Sequence, residues 1–111
     1  MAPRDDHNLD ALGRWTEPAM LVLSSLAGGP KHGYAIIQDV RQIASVTLGP
    51  GTLYGALSRL EQRGLIEALP AEDRRRPYRL TAAGAGALER RLNALEQVVR
   101  VGLRRLQTAT G

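Results

Sequence analysis

The chain has no cysteine and no phenylalanine, one tryptophan, three tyrosines, two histidines and a single lysine among its 15 basic residues. Each shortage excludes something. Without cysteine there is neither a disulfide nor a thiolate metal site, which agrees with a reducing cytoplasm. The longest uncharged apolar run, around Ala19 to Leu26, falls far short of the roughly 20 residues that a bilayer crossing needs, so no membrane span is expected. No basic leader with an apolar segment and a small-residue cleavage site opens the chain, and "MAPRDDHNLDALGR" reads as a polar, frayed start over residues 1–15. His32 has only His7, in that start, as a companion, so no metal and no cofactor are expected. Enzyme chemistry is not expected either: there is no histidine with an acid partner at motif spacing, no phosphate loop and no pair of carboxylates on a common face.

What is present is arginine. Fourteen of the 15 basic residues are arginines, and the net charge is +4 over 111 residues, a length that suits one domain. A guanidinium is a planar fork that pairs with phosphate bidentately, so the bias favours a polyanionic partner more than lysines would. The competing explanation is a GC-rich coding sequence, which enriches arginine without any partner.

Turn and periodicity signals divide the chain. Thr16 is placed to cap a helix over about Glu17 to Ala27, with Pro18 in its first turn and Trp15 and Met20 spaced as a hydrophobic staple. Met20, Leu21, Val22, Leu23 and Leu26 lie nearly all round it, so burial on several sides is expected. "GGP" at residues 28–30 ends it. A second, amphipathic helix covers about His32 to Ser45, and "TLGPG" turns the chain into a third, which Pro50 opens and Gly64 closes. Leu65 to Leu69 and Pro77 to Leu80 are strand-like runs flanking "PAEDRRR", a hairpin with a charged tip. Pro77 makes the second run either an edge strand or one that starts at the proline. Thr81 caps a last helix over about Ala82 to Gln107, where Leu88, Leu92, Leu95, Val99 and Leu106 step by 4, 3, 4 and 7, the spacing of a coiled-coil seam with Gly102 in the missing place.

Three helices with a tight glycine turn between the second and third, followed by a hairpin, make a winged helix-turn-helix. The expected fold is mainly α with a small β hairpin, divided as residues 1–15 flexible, 16–81 winged helix-turn-helix and 82–111 a long C-terminal dimerisation helix and tail. On the third helix Leu53, Ala56, Leu57 and Leu60 share one stripe, and Gly55, Ser58, Arg59 and Gln62 centre almost opposite it. In a major groove Gly51 and Gly55 would permit close approach, and Thr52, Tyr54, Ser58 and Arg59 would reach bases or backbone. Arg74, Arg75 and Arg76 repel one another at the hairpin tip unless an anion sits nearby. Lys31, His32 and Tyr34, at the start of the second helix, are placed to grip a phosphate. Each feature has a plainer reading: a solvated helix face, a loop offset by Glu72 and Asp73, a turn with a packed tyrosine. Met20, Leu21 and Leu23 of the first helix, with Leu88, Leu92, Leu95, Val99 and Leu106 of the last, are the expected homodimer surface. The alternative is packing of the last helix on the first within one chain.

The strings "GPKHGYAIIQDV", "GPGTLYGALSRLEQRGLIE" and "RRRPYRLTAAGAGAL" resemble the PadR-type family of bacterial transcriptional regulators over about Ala19 to Leu88. The resemblance implies a homodimer crossed through its first and last helices, binding double-stranded DNA at a near-palindromic operator and often repressing. It makes Tyr34, Thr52, Tyr54 and the wing arginines candidate DNA contacts. Gly49 stands where a capping serine is common in the family, and Pro77 and Arg79 flank Tyr78 where aromatic or lysine neighbours are common. Some relatives hold flat aromatic compounds between subunits with tryptophans of the last helix. Here the one tryptophan is Trp15, so the matching position does not support that pocket, although a small aromatic effector in a dimer cavity is compatible with the reading. The competing function is a winged-helix protein-interaction module that never touches DNA.

Overall fold

The computed structural model describes residues 17–110, in which the elements run α1 (Pro18–Leu26), β1 (Lys31–His32), α2 (Gly33–Ala44), α3 (Pro50–Gln62), β2 (Ile66–Ala68), β3 (Pro77–Leu80) and α4 (Ala82–Thr110). The expected roles of Trp15 and Thr16 lie outside the described residues; α1 begins at Pro18, with Glu17 in the capping position.

Helices α1 and α3 stop for local reasons. Gly29, at φ 133°, carries the chain away from α1 in a conformation that L side chains avoid. At the end of α3 the Gly64 amide donates to the Glu61 carbonyl at 3.0 Å and the Leu65 amide to the Leu60 carbonyl at 3.0 Å, a Schellman closure that Gly64 permits at φ 72°.

Val22, Ile36, Val40, Leu53, Leu57 and Ile66 are fully buried and form the centre of the core. Removing such side chains from water contributes about 1.5–3 kcal/mol apiece. The apolar girth of α1 is absorbed inside one protomer, where Leu21, Val22, Leu23 and Leu26 are all buried and α2, α3 and α4 each contact the helix. This corrects the expectation for Leu21 and Leu23: they are core residues, not surface awaiting a second copy. Leu88 is likewise buried among the core leucines, while Met20 is half-buried at their margin.

Three strands form the sheet, in the order β1-β3-β2, both pairings antiparallel. The sequence predicts a two-stranded hairpin and a second helix that begins at about His32, with Lys31 just before it. Both residues extend instead as β1, opposite Tyr78 and Pro77, and α2 starts one residue later at Gly33. Two residues are too few to carry an alternation signal, so β1 is visible only through its tertiary partner. Pro77 sits at the first position of β3, as expected of a strand start, yet β3 is the central strand and not an edge.

A polar knot anchors β1 to the helices behind it. The Lys31 ammonium donates to the Ser25 carbonyl at 2.5 Å and lies 3.8 Å from the Asp39 carboxylate, which accepts the Ser25 hydroxyl at 2.7 Å. At the other end of the sheet Thr81 caps α4: its hydroxyl accepts the Gly84 amide at 3.0 Å and donates to the Gly64 carbonyl at 2.7 Å. A Cβ at Gly84 would collide with the Leu65 carbonyl, so the glycine sets how closely α4 passes the start of β2.

Candidate nucleic-acid interface

Helix α3 divides as its periodicity predicts. Leu53, Ala56, Leu57 and Leu60 are buried, whereas Gly51, Thr52, Tyr54, Gly55, Ser58, Arg59 and Gln62 are exposed. The helix is uncapped by any side chain because Gly49 occupies its N-cap, leaving first-turn amides open to an external acceptor. A Cβ at Gly51 or Gly55 would meet nothing within 4 Å. The absence of side chains there is therefore not imposed by packing inside the protomer.

The hairpin joining β2 and β3 ends in a two-residue turn. Glu72 and Arg75 exchange backbone hydrogen bonds of 2.7 and 2.8 Å, and Asp73 and Arg74 between them both carry positive φ, 49° and 65°, as a type I′ turn requires. No Asn-Gly or Asp-Gly marks the turn in the sequence, so its position was legible and its type was not. The consequence is a narrow wing with Arg74, Arg75 and Arg76 exposed at its tip.

Wing, α2 and α3 converge on one cleft of about 300 Å³ lined by His32, Gly33, Tyr34, Tyr54, Arg74, Arg75, Arg76 and Tyr78. Six of the expected contacts, from three separate stretches of sequence, therefore share one site. Thr52, Ser58 and Arg59 stand apart from the cleft, on the exposed face of α3. His32 lies 3.5 Å from an Arg75 guanidinium nitrogen. Lys31 differs from its neighbours: its ammonium is engaged by Ser25 and Asp39 and is absent from the cleft lining.

Two cleft residues, Gly33 and Tyr78, were not singled out as contacts from the sequence. A Cβ at Gly33 would stand 2.7 Å from the Tyr54 hydroxyl, so the glycine is the recess into which that phenol fits. Burial, then the Glu61 carboxylate, raises the Tyr78 phenol above its ordinary value. Both residues belong to the strings "GPKHGYAIIQDV" and "RRRPYRLTAAGAGAL" that carry the family resemblance, so the signal was present without its geometric meaning.

Beyond the sheet, α4 continues past the protomer's core. Val98, Val99, Leu103 and Leu106 are exposed large apolar residues, Leu92 is partly so and Leu95 is intermediate. Val98 and Leu103 were missed because only the seam positions were followed, and these two flank the seam.

A polar α3 face, an arginine-tipped wing and a protruding apolar helix are thus borne by one small fold. A model of the transcriptional regulator PadR-like family matches residues 22–90, more than half the chain. The chain belongs to that family. Outside the family model, this PadR-like chain is 46% identical over 85 residues to an uncharacterized 37.1 kDa protein in transposon Tn4556 of Streptomyces fradiae, covering 77% of this chain and 25% of that protein. It is 32% identical over 102 residues to the transcriptional activator GvpE2 of Halobacterium salinarum, covering 92% of this chain and 48% of the relative. The chain therefore spans a quarter and about half the length of these two relatives. Among solved structures, a PadR family transcription regulator from hypervirulent Clostridium difficile superposes with a TM-score of 0.72 at 29% identity, over 80% of this chain and 97% of the other.

Proposed function

We propose that this PadR-like chain is a sequence-specific DNA-binding regulator that seats as a homodimer on a near-palindromic operator and represses by occupying it. The observation that carries the reading is the convergence of three sequence segments on one cationic, tyrosine-lined cleft beside the exposed face of α3. Thr52, Ser58 and Arg59 are the base-facing candidates, and the cleft with Arg74, Arg75 and Arg76 tracks the phosphates. Lys31 leaves the contact set, because its charge already has partners on the core side. Dimerisation uses the distal part of α4, with Leu92, Leu95, Val99 and Leu106 on the seam and Val98 and Leu103 beside it. Repression follows from excluded volume alone, whereas the activation named for the Halobacterium relative needs a further surface for the transcription machinery. A small aromatic effector that loosens the dimer would relieve it. Thermal stabilisation by such a compound is the measurement for that step.

Selection from a random duplex pool tests the central reading. The expected product is an inverted repeat whose half-sites lie about one helical turn, ~10 base pairs, apart, bound with a Kd on the order of 10⁻⁸ M or tighter and weakened steeply by salt. Enrichment of no sequence over random duplex would defeat it.

A further inference from the structure

On the side of the protomer away from the tyrosine cleft, an apolar groove of about 200 Å³ opens between α1, the end of α3, the approach to β2 and α4. It shares no lining residue with that cleft. Met20, Leu23, Leu60, Leu65 and Leu88 form its floor, and Ala19 of α1 and Ala87 of α4 flank it, neither large enough to close it. The exposed Glu17, Arg63 and Arg91 also line it, with the Glu17 carboxylate 3.5 Å from the Arg91 guanidinium.

Glu17 is the first described residue, so the chain enters this groove directly from residues 1–16, which lie outside the described residues. Two positions before it stands Trp15, the only tryptophan of the chain. Two residues span at most about 7 Å of backbone, so an indole at position 15 is within reach of the floor. A staple between Trp15 and Met20 requires Thr16 as the cap of α1. With Glu17 in the capping position those slots pass to Thr16 and Leu21, and Leu21 is already buried in the core. Met20 is only half-buried, and its remaining surface lies in the groove.

We propose that this groove is the seat of Trp15 of the same protomer, whose indole covers Met20, Leu65 and the core leucines beneath them and wedges α1 against α4 where α4 leaves the winged domain. Size selects the occupant. An apolar cavity of about 150 Å³ accepts one benzene ring, so this groove holds a single bicyclic side chain. A helix with its side chains is about 10–12 Å across, so a second copy offers the groove one side chain at most. A seated indole needs one acceptor for its N–H, and the Glu17 carboxylate is at hand. The inference is independent of the DNA-binding reading, because no candidate DNA contact lines the groove.

The experiment uses the intrinsic fluorescence of the full chain, which reports position 15 alone. Wild type is expected to emit at shorter wavelength than the same chain unfolded in urea, and to be quenched weakly by acrylamide. Ala87→Phe puts a ring of its own into the groove, and should move the emission to longer wavelength and restore quenching while helical circular dichroism is kept. Leu65→Gln, which makes the floor polar, serves as the second groove variant and should act in the same direction. Trp15→Ala should lower Tm by at least about 5 °C, as a small domain that loses one buried contact does, and Trp15→Phe should recover most of that loss. In the Ala87→Phe background the Trp15→Ala change should leave Tm nearly where it was.

Wild-type emission that matches the unfolded chain would refute the seat. Short-wavelength emission that survives both groove variants would place the indole elsewhere and overturn the assignment. The last arm separates one protomer from two. Emission should stay unaltered on dilution and in the Val99→Glu, Leu103→Glu double variant. A shift to longer wavelength that follows dissociation of a dimer would mean that the indole sits on a second copy, and would overturn the same-protomer seat.

Discussion

The two halves of α4 share one leucine spacing and meet opposite surroundings. Leu88 is 6% exposed and belongs to the buried core cluster, whereas Val98 and Leu103 on the same helix are 66% and 60% exposed. The glycines repeat the contrast. Gly84 has the Leu65 carbonyl against it, and Gly102 has nothing within 4 Å. A heptad pattern therefore says that a face is to be covered, and leaves open by what. The proximal half is covered by the protomer that carries it. The distal half is left uncovered among the described residues, and it is the surface that the proposed homodimer would bury.

That contrast can be broken at either end. The largest effect is expected from Leu88→Ala, which should cost about 2–5 kcal/mol of protomer stability by opening a cavity beside Leu23 and Leu60, visible as a lowered Tm. Thermal melts showing Leu88→Ala harmless would remove the proximal half from the core. Next, Val99→Glu with Leu103→Glu should leave the helical circular dichroism of the winged domain in place while converting dimer to monomer by light scattering. The same pair should reduce affinity for an inverted repeat at least tenfold, and for a single half-site hardly at all. Persistence of the dimer would move the interface elsewhere.

The glycines give the finer test. Gly84→Ala should destabilise the fold, because the Leu65 carbonyl it meets is backbone and cannot step aside. Gly102→Ala should raise the intrinsic stability of α4 by about 1 kcal/mol, the ordinary gain of alanine over glycine in an open helix. Equal and unfavourable shifts in the two melting curves would erase the distinction between the halves. Smallest of all, Arg79→Ala removes a cross-strand pair with Glu67 on the exposed side of the sheet. It should change Tm by less than the equivalent of about 1 kcal/mol, since solvent screens such pairs.

The contrast extends to the other exposed surface. The α3 face and wing offer hydroxyls, guanidiniums and open backbone, and α4 offers branched hydrocarbon. Both are uncovered among the described residues, and their chemistry differs as the two proposed partners, a duplex and a second copy, would require.

Much of this was readable in advance because it depends on short-range periodicity. The inward stripe of α3 at Leu53, Ala56, Leu57 and Leu60 follows from 3.6 residues per turn, and so does the exposed set opposite it. Gly64 and Thr81 were legible as stop and start because each closes hydrogen bonds within a few residues. Three features were not. Strand β1 has no pattern of its own and exists only because β3 runs beside it. Lys31 carries the same charge as the wing arginines, and nothing local says that Asp39 and the Ser25 carbonyl will hold it on the core side. Leu21 and Leu23 look like surplus apolar surface until three helices are seen to surround them.

The order of residues alone determined the four helices, the hairpin and which face of each helix is apolar, because those depend on dihedral preference and a repeat of two to four residues. Which of those apolar faces were satisfied inside the protomer, and which tyrosines would meet around one cleft, was settled by how the elements pack. That residues 34, 54 and 78 line one cleft is set by the angles at which helices and sheet cross, and no local spacing along the chain encodes those angles.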